Sequence, residues 1–433
     1  MNWKAEGKTL LLLVCGFLAV FFLPVGHPRF DGAVTEALQL TRWYAREHVV
    51  LCLLPAFLIA GAIATFINQD AVMRYLGPRA PKPLAYGVAS VSGGILAVCS
   101  CTVLPLFAGI YRMGAGLGAA VTFLYSGPAI NVLAVILTAK VLGWQLGAAR
   151  AIGAIVFSIV IGLSMHLIFR GSAQTQSNPA AFGDTDTPPR PLWKTATHFA
   201  LMIAILVFAN WADPGTDQGF FAAVHATKWP LTATLAGAWA VLLWRWFALP
   251  AIPMLVLALA VGVLAGLAPQ QPLVPFAAGI IGLCAVLARS GGEGREWLEQ
   301  TWSYAKQITP LLLGGVLLAG FMLGRPGHEG VVPSVWVEHA VGGEGFGANV
   351  FAALAGALMY FATLTEIPIL QGLLGSGMGQ GPALALLLAG PSLSLPSVLV
   401  IHSLLGIRKT LAYIALVVVM ATFCGWAYGN LVA

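Results

Sequence analysis

Long apolar runs separated by short polar loops form the dominant pattern along this chain. The runs are too long and continuous for membrane β-strands, which alternate over about ten residues, and they approach the about 20 residues that a spanning helix needs. The pattern therefore predicts an all-α polytopic membrane protein. The candidate spans are 9–25, 47–67, 84–110, 115–140, 147–169, 195–211, 229–247, 251–267, 272–289, 307–324, 348–374, 381–404 and 408–429.

One polar tract, from Gly171 to Lys194, interrupts this pattern with Ser, Gln, Asp and a Pro-Pro-Arg-Pro run. Such composition predicts an exposed linker. Near the start, Lys4 and Lys8 precede an apolar run, but no small-x-small cleavage site follows, so we interpret the run as a retained span. The predicted units are 1–46 (N-terminal span and loop), 47–170 (first transmembrane repeat), 171–194 (linker), 195–306 (middle transmembrane region) and 307–433 (second transmembrane repeat).

Composition excludes a soluble protein, because 59% of the residues are hydrophobic and only 9% are charged. Globular proteins average about 25% charged residues. The net charge of +6 comes from basic residues that occur singly between apolar runs, which indicates membrane topology and not nucleic-acid binding. No nucleotide-binding loop or catalytic triad spacing is visible, so we predict neither an enzyme nor a cofactor, and transport must draw on an ion gradient or a partner ATPase.

An internal repeat links the two halves of the chain at a constant offset of 263 residues. Gly-Pro within an apolar run breaks helical hydrogen bonding, and paired interrupted segments typify a transporter binding site. The alternative is that the glycines serve only close helix packing. The first copy consists of Pro105, Gly109, Gly114, Gly118, Gly127 and Pro128, and the second of Pro368, Gly372, Gly377, Gly381, Gly390 and Pro391. Helix breaks are predicted at the prolines and at Gly127 and Gly390.

The distribution of Lys and Arg predicts the orientation of the two repeats. If every candidate span crosses, the 22 basic residues divide evenly between the two sides. If 84–110 and 348–374 are instead re-entrant hairpins, the basic residues concentrate on one side, as the positive-inside rule requires. We therefore expect an inverted repeat with two opposed hairpins of discontinuous helix.

The first hairpin contains two thiols in the sequence Cys99-Ser100-Cys101-Thr102. An irregular backbone before Pro105 would let both thiols face one cavity, where sulfur ligands select soft ions such as Cu(I) or trivalent arsenic. Cys99 and Cys101 are therefore candidate substrate or metal ligands. The alternative is that they are small hydrophobic residues of the core.

The second hairpin contains a carboxylate, Glu366, which follows Thr365. An acidic residue at the centre of a membrane helix costs about 2.5–3.5 kcal/mol, so we expect it to be functional, either carrying a coupling proton or pairing with a basic side chain. His402 could relay protons, or it could be a packing residue. Lys140 and Arg150 lie near span ends, and we interpret them as interfacial anchors.

Short polar side chains follow the Gly-Pro breaks, namely Ser126, Asn131 and Ser394. Polar side chains beside half-helix ends form the midplane sites of transporters. With Thr102 and Thr365, they are predicted to line a substrate site. The alternative is that they only cap the broken helices.

These motifs resemble the ArsP/YraQ-like permease family over roughly 47–170 and 307–429. The resemblance implies a multi-pass permease of the bacterial inner membrane that exports trivalent organoarsenicals such as methylarsenite. Proton coupling is the expected driving force, membrane lipid and a small solute are the expected partners, and a homo-oligomer is left open. The residues that carry it are Cys99-Ser-Cys101, Pro105, Tyr111-Arg112-x-Gly114, Gly118, Ser126-Gly-Pro-Ala-x-Asn131, and in the second half Gly381-Pro-Ala, Ala389-Gly-Pro-Ser and Pro396.

Two alternatives to arsenical export remain at this point. The chain could transport another small solute, such as a sulfur compound or a soft metal ion. It could also be a membrane scaffold or partner subunit without transport of its own, although a scaffold would not need an intramembrane carboxylate and interrupted helices.

Overall fold

The computed structural model describes the backbone of most of the chain. The described ranges are 20–66, 76–77, 80–96, 100–130, 132–170, 191–211, 219–325, 328–333, 340–359, 366–375 and 377–432, with isolated positions near the N-terminus and at Val335. These residues are almost entirely helical, and the prediction of an all-α polytopic membrane protein is confirmed. Most positions of the predicted span 9–25 are described, and these are helical as far as Phe21, whereas only Pro191 to Lys194 of the linker 171–194 are described.

The N-terminal half is a succession of apolar helices, the first of which begins at a proline, a residue whose fixed φ suits the first helical position. Its elements are α1 (Pro28–Tyr44), a π-helical segment (Ala45–Leu53), α2 (Leu54–Phe66), α3 (Lys82–Leu96), α4 (Ser100–Arg112), α5 (Leu117–Ala129), α6 (Val132–Val141) and α7 (Trp144–Ile168).

The C-terminal half continues with helices of similar character and one short pair of antiparallel strands. Its elements are α8 (Leu192–Ala209), α9 (Phe220–Phe247), α10 (Ala251–Leu267), α11 (Leu273–Arg289), α12 (Glu293–Leu323), β1 (Gly324–Arg325), β2 (His328–Glu329), α13 (Phe346–Leu358), α14 (Glu366–Gly375), α15 (Gln380–Ala389), α16 (Leu395–Leu405) and α17 (Ile407–Val432).

Helix length separates full spans from shorter pieces. Among the described residues, four helical stretches are long and apolar enough to cross a membrane: Pro28–Phe66, Trp144–Ile168, Glu293–Met322 and Ile407–Val432. Each of four other apolar runs consists of two shorter helices: α3 and α4, α5 and α6, α13 and α14, and α15 and α16. The two runs that carry the Gly-Pro breaks, α5–α6 and α15–α16, are therefore among those built from two pieces.

Backbone hydrogen bonds close the base of each hairpin. The N–H of Gly116, which follows α4, donates to the carbonyl of Leu76, which precedes α3, over 2.7 Å. In the second half, the N–H of Gly343, which precedes α13, donates to the carbonyl of Gly377, which follows α14, over 3.3 Å. The α3–α4 pair and the α13–α14 pair therefore each enter and leave the helical core at a single end.

The two hairpin bases lie at opposite ends of α17. Near the start of α17, Lys409 Nζ donates to the hydroxyl of Tyr111 at the end of the first hairpin over 3.3 Å. Near the end of α17, Gly429 lies against the carboxylate of Glu344 at the base of the second hairpin. A helix of 26 residues is about 39 Å long, so the two bases are separated by the full thickness of the helical core.

Pairs of glycines bring α5 against α7 and α15 against α17. A Cβ added to Gly162 would lie 2.7 Å from the carbonyl oxygen of Gly118, and one added to Gly425 would lie 2.5 Å from that of Gly381. Larger side chains would therefore separate the helices. The two glycine pairs have the 263-residue offset of the predicted repeat, and so do the first residues of α5 and α15, α6 and α16, and α7 and α17.

The middle region, α8 to α11, packs against the outer side of α2 and α12. A buried histidine connects them: Trp239 Nε1 donates to His198 Nδ1 over 3.1 Å, and Phe66, Phe247 and Trp297 lie around the His198 ring. By contrast, Met254 is the one buried residue of α10. An apolar helix this exposed is suited to lie in lipid.

Candidate functional site

The ends of α5 and α15 meet in the interior of the molecule. The hydroxyl of Tyr125 donates to the carbonyl of Leu388 over 3.1 Å, and Ser392 Oγ donates to the carbonyl of Tyr125 over 3.4 Å. The hydroxyl of Tyr413, on α17, donates to the carbonyl of Ser392 over 3.3 Å. All of these residues are buried, so side-chain hydroxyls connect the ends of α5 and α15 with α17 inside the protein.

The two Gly-Pro segments produce slightly different breaks. In the second half, α15 ends at Ala389, Gly390 and Pro391 form a turn, and α16 begins at Leu395. In the first half, α5 continues through Gly127 and Pro128 to Ala129 before α6 starts at Val132. The discontinuity in the first half therefore follows the predicted position by two residues.

The structure also differs from the prediction that the helix breaks at each hairpin proline. Helix α4 is continuous through Pro105, so the predicted break at this residue is not found. A proline near a helix start removes only one backbone hydrogen bond, which the remaining turns tolerate. Pro368 lies in the first turn of α14, where its missing N–H has no intrahelical partner to lose.

The predicted polar residues Ser126 and Ser394 are both buried beside these breaks. Ser126 Oγ lies 3.3 Å from the carbonyl of Ala89 and 3.2 Å from that of Phe123, and it can donate to either. Ser394 caps α16: its Oγ accepts a hydrogen bond from the backbone N–H of Ser397 and lies 2.7 Å from the Ser397 hydroxyl. Ser394 therefore has the capping role that sequence reasoning kept as an alternative, whereas the Ser126 hydroxyl bonds to backbone carbonyls and does not cap a helix.

Glu366 and Arg150 form an ion pair between the two halves of the chain. Arg150 Nη2 of α7 lies 2.5 Å from Glu366 Oε1 at the start of α14, and both side chains are 0% exposed. Arg150 Nη1 donates to Thr138 Oγ1 on α6 over 2.8 Å, and the Thr138 hydroxyl donates to the carbonyl of Ala134 over 2.7 Å. The pair thus connects α6, α7 and α14.

Burial makes this pair energetically demanding. Two charges removed from water lose hydration, and removal of one partner from a buried pair typically costs about 3–5 kcal/mol, because the other charge is left uncompensated. The interpretation of Arg150 as an interfacial anchor is therefore wrong. Its position near the start of α7 suggested a side chain that reaches the interface, but α6 packs against this helix and Glu366 of α14 lies against the guanidinium, so the side chain is fully buried.

The structure gives less information on the other residues that were predicted for the site. His402 is exposed on α16 and does not belong to the buried site. Cys99, Asn131 and Thr365 lie outside the described residues, and of Cys101, Thr102 and Lys140 only the helix position is described. Cys101 and Thr102 lie in the first turn of α4 and Glu366 lies in the first turn of α14, so the two motifs stand at the far ends of the two hairpins from their bases. Among the described residues, no three His, Cys, Asp or Glu side chains come together as metal ligands.

Comparison with known proteins identifies the family. A family model, ArsP_1, described as "Predicted permease", matches residues 34–430. The chain belongs to this permease family. It is therefore a multi-pass membrane transporter, and the resemblance inferred from the Cys99 to Asn131 motif and its second-half counterpart is confirmed.

Two curated relatives extend the match over nearly the whole permease. UPF0718 protein MJ0584 of Methanocaldococcus jannaschii is 41% identical over 386 residues, which cover 89% of this chain and 93% of the relative. UPF0718 protein YraQ of Escherichia coli K12 is 23% identical over 420 residues, which cover 93% of this chain and 88% of the relative. No solved structure matches the permease. Both matches are long enough to include the middle region, which the motif resemblance did not cover.

Sequence reasoning found Glu366 but missed Arg150 and Thr138. A signal was available, because a carboxylate in the membrane interior needs a cation. Arg150 lies six residues after the first residue of α7, deep enough to be that cation.

Proposed function

We propose that this chain is a proton-coupled permease of the bacterial inner membrane that exports trivalent organoarsenicals such as methylarsenite. The observation that carries the proposal is the fully buried Glu366–Arg150 pair between the two halves of the chain. A carboxylate in this setting is the expected carrier of a coupling proton. The family description supports transport, and the thiols of the first hairpin support a thiophilic cargo.

The two hairpins would have different roles in transport, one in substrate binding and the other in proton binding. Cys99 and Cys101, which the sequence assigns to the first hairpin, would contact the arsenic atom, since thiolates are soft ligands. Glu366, at the end of the second hairpin that is far from its base, would carry the proton. The polar residues beside the breaks would line the path of the substrate: Thr102, Ser126, Asn131, Thr365 and Ser394.

We also propose that the segments 82–168 and 346–432 form an inverted repeat. Support comes from the 263-residue offset between helix starts and between glycine pairs, and from the position of the hairpin bases at opposite ends of α17. Opposed repeats around a central site suit alternating access, in which one half rocks against the other.

Survival of a deletion strain on methylarsenite tests the function. The wild-type gene is expected to restore growth, and Cys99→Ser/Cys101→Ser is expected to lose rescue with an unchanged amount of protein in the membrane. The matched control is Cys284→Ser, which removes a thiol from α11 in the middle region. Full rescue by the double variant would show that the two thiols are not needed for export. Failure of the wild-type gene to protect the strain would show that methylarsenite is not the substrate.

A further inference from the structure

We propose that Arg150, held in place by Thr138, is the positioning residue that keeps Glu366 ionised in this conformation, so that proton release is confined to one state of the transport cycle. The proposal rests on the proposed function in one respect, which is that Glu366 carries the coupling proton. It adds a role for Arg150, from the opposite half of the chain, and a physical reason for Glu366 to release its proton.

The comparison of the two halves indicates that this pair is not required for packing. At the 263-residue offset, Arg150, Thr138 and Glu366 correspond to Tyr413, Ile401 and Val103. These three residues are also almost fully buried, at 0%, 0% and 2% exposure. The buried positions that correspond to the ionic cluster at this offset are therefore occupied by uncharged side chains, and charge is not needed to fill such positions.

The geometry of the cluster fixes the guanidinium. Because the Thr138 hydroxyl gives its hydrogen to the carbonyl of Ala134, its oxygen is left to accept from Arg150 Nη1, and Arg150 Nη2 is directed at Glu366. An arginine cannot lose its proton in a protein, so Glu366 is the member of the pair that changes charge.

The other groups around the pair carry no competing charge. Among the described side chains, Arg150 is the charged group that faces Glu366. From α6 the neighbour is the Thr138 hydroxyl, from α5 the phenol of Tyr125 lies near Arg150, and the packed face of α15 is apolar. Separation of α14 from α7 would leave Glu366 buried without its cation, and protonation would then be the cheaper state.

This arrangement suits an exchanger. In the proposed cycle, the carboxylate is ionised while the Arg150–Glu366 contact is intact, and its proton has then been released. When the halves move apart, the Arg150–Glu366 contact breaks, the carboxylate binds a proton and an O–H bond forms on Glu366. One proton is thus bound and released per cycle, with no change in redox state and no further reactant.

The pH dependence of carbodiimide modification tests the role of Arg150 without any transport substrate. Dicyclohexylcarbodiimide reacts with protonated buried carboxyl groups, and mass spectrometry of the purified full-length protein reports modification of Glu366 separately from that of Glu344. In the wild type, modification of Glu366 is expected only at acidic pH. Arg150→Gln is expected to move the half-modification point upward by at least one pH unit, with Arg150→Lys close to the wild type.

Two variants keep the test independent of folding defects. Thr138→Val retains the ion pair but loosens the guanidinium, so it is expected to shift the profile in the same direction by a smaller amount, whereas Thr138→Ser is expected to match the wild type. Glu344, which accepts hydrogen bonds from the backbone of Gln380 and Gly381, is the internal control and its profile should not move. An unchanged Glu366 profile in folded Arg150→Gln, or in Thr138→Val if Arg150→Gln does not fold, would overturn the proposal. Since no arsenical is present, a failed arsenical assay and a failed carbodiimide assay are separate results.

Discussion

The hydroxyl of Tyr125 donates a hydrogen bond to the carbonyl of Leu388, the residue that lies 263 positions further along the chain. This separation equals the offset of the Gly-Pro pattern. A residue that touches its own counterpart must lie close to an axis relating the two copies. The Tyr125–Leu388 contact is therefore consistent with a pseudo-two-fold axis that passes between the ends of α5 and α15.

Tyr125→Phe should weaken the junction between the two halves. The substitution removes one hydroxyl and leaves the buried Leu388 carbonyl without that donor, which costs about 1–3 kcal/mol. The midpoint of thermal unfolding in detergent, followed by size-exclusion chromatography, should fall. Tyr428→Phe at a partly exposed position of α17 is the matched control, and an equal effect of both changes would count against a special role for Tyr125.

Gly162→Ala and Gly425→Ala should each destabilise the protein through overpacking. The new methyl group would lie 2.7 Å from the Gly118 carbonyl in one case and 2.5 Å from the Gly381 carbonyl in the other. Overpacking of this kind typically costs about 1–3 kcal/mol. Gly237→Ala on α9, where nothing lies within 4 Å, is the control. Equal yields of folded protein from all three variants would contradict the close helix approach.

Removal of one partner of the ion pair should be more damaging than removal of both. Arg150→Gln leaves the Glu366 carboxylate buried and unpaired, at a cost of about 3–5 kcal/mol, whereas replacement of both charges is often close to neutral. Thermal stability of Arg150→Gln, Glu366→Gln and the double variant gives a double-mutant cycle. The double variant is expected to be more stable than Arg150→Gln. Additive losses would mean that the two side chains do not interact.

Cysteine labelling tests the opposed hairpins. Lys82→Cys lies at the exposed start of α3, beside the first base, and Gly347→Cys lies at the exposed start of α13, beside the second. A membrane-impermeant maleimide should reach them from opposite sides, while Arg112→Cys should label from the same side as Lys82→Cys. Labelling of the unsubstituted protein corrects for its own thiols. Labelling of Lys82→Cys and Gly347→Cys from the same side would exclude inversion.

The apolar pattern was sufficient to predict the helical membrane class, and the charge distribution favoured two segments that turn back, whereas the break predicted at Pro105 was not found. These features depend on local properties of the chain: length of the apolar run, turn residues and the side of the membrane that Lys and Arg occupy. The deep position of Glu366 was predictable for the same reason.

The partner of Glu366 was not predictable in the same way. Arg150 is brought to Glu366 because α6 packs against both α7 and α14, and no local pattern in the sequence specifies that packing. His402 shows the converse: it lies near the second break in sequence, but its face of α16 is exposed. Side-chain direction at a broken helix depends on which residues form the last turn, as the continuation of α5 through Pro128 shows.

Transport by purified protein in liposomes tests the central claim most directly. Methylarsenite, thiosulfate and Cu(I) would be offered with and without an imposed pH gradient, to the wild type and to Glu366→Gln. The account predicts that the wild type accumulates methylarsenite only when the gradient is present, and that Glu366→Gln exchanges methylarsenite but cannot accumulate it. Accumulation by Glu366→Gln equal to that of the wild type, or gradient-driven accumulation of one of the other solutes alone, would contradict the account.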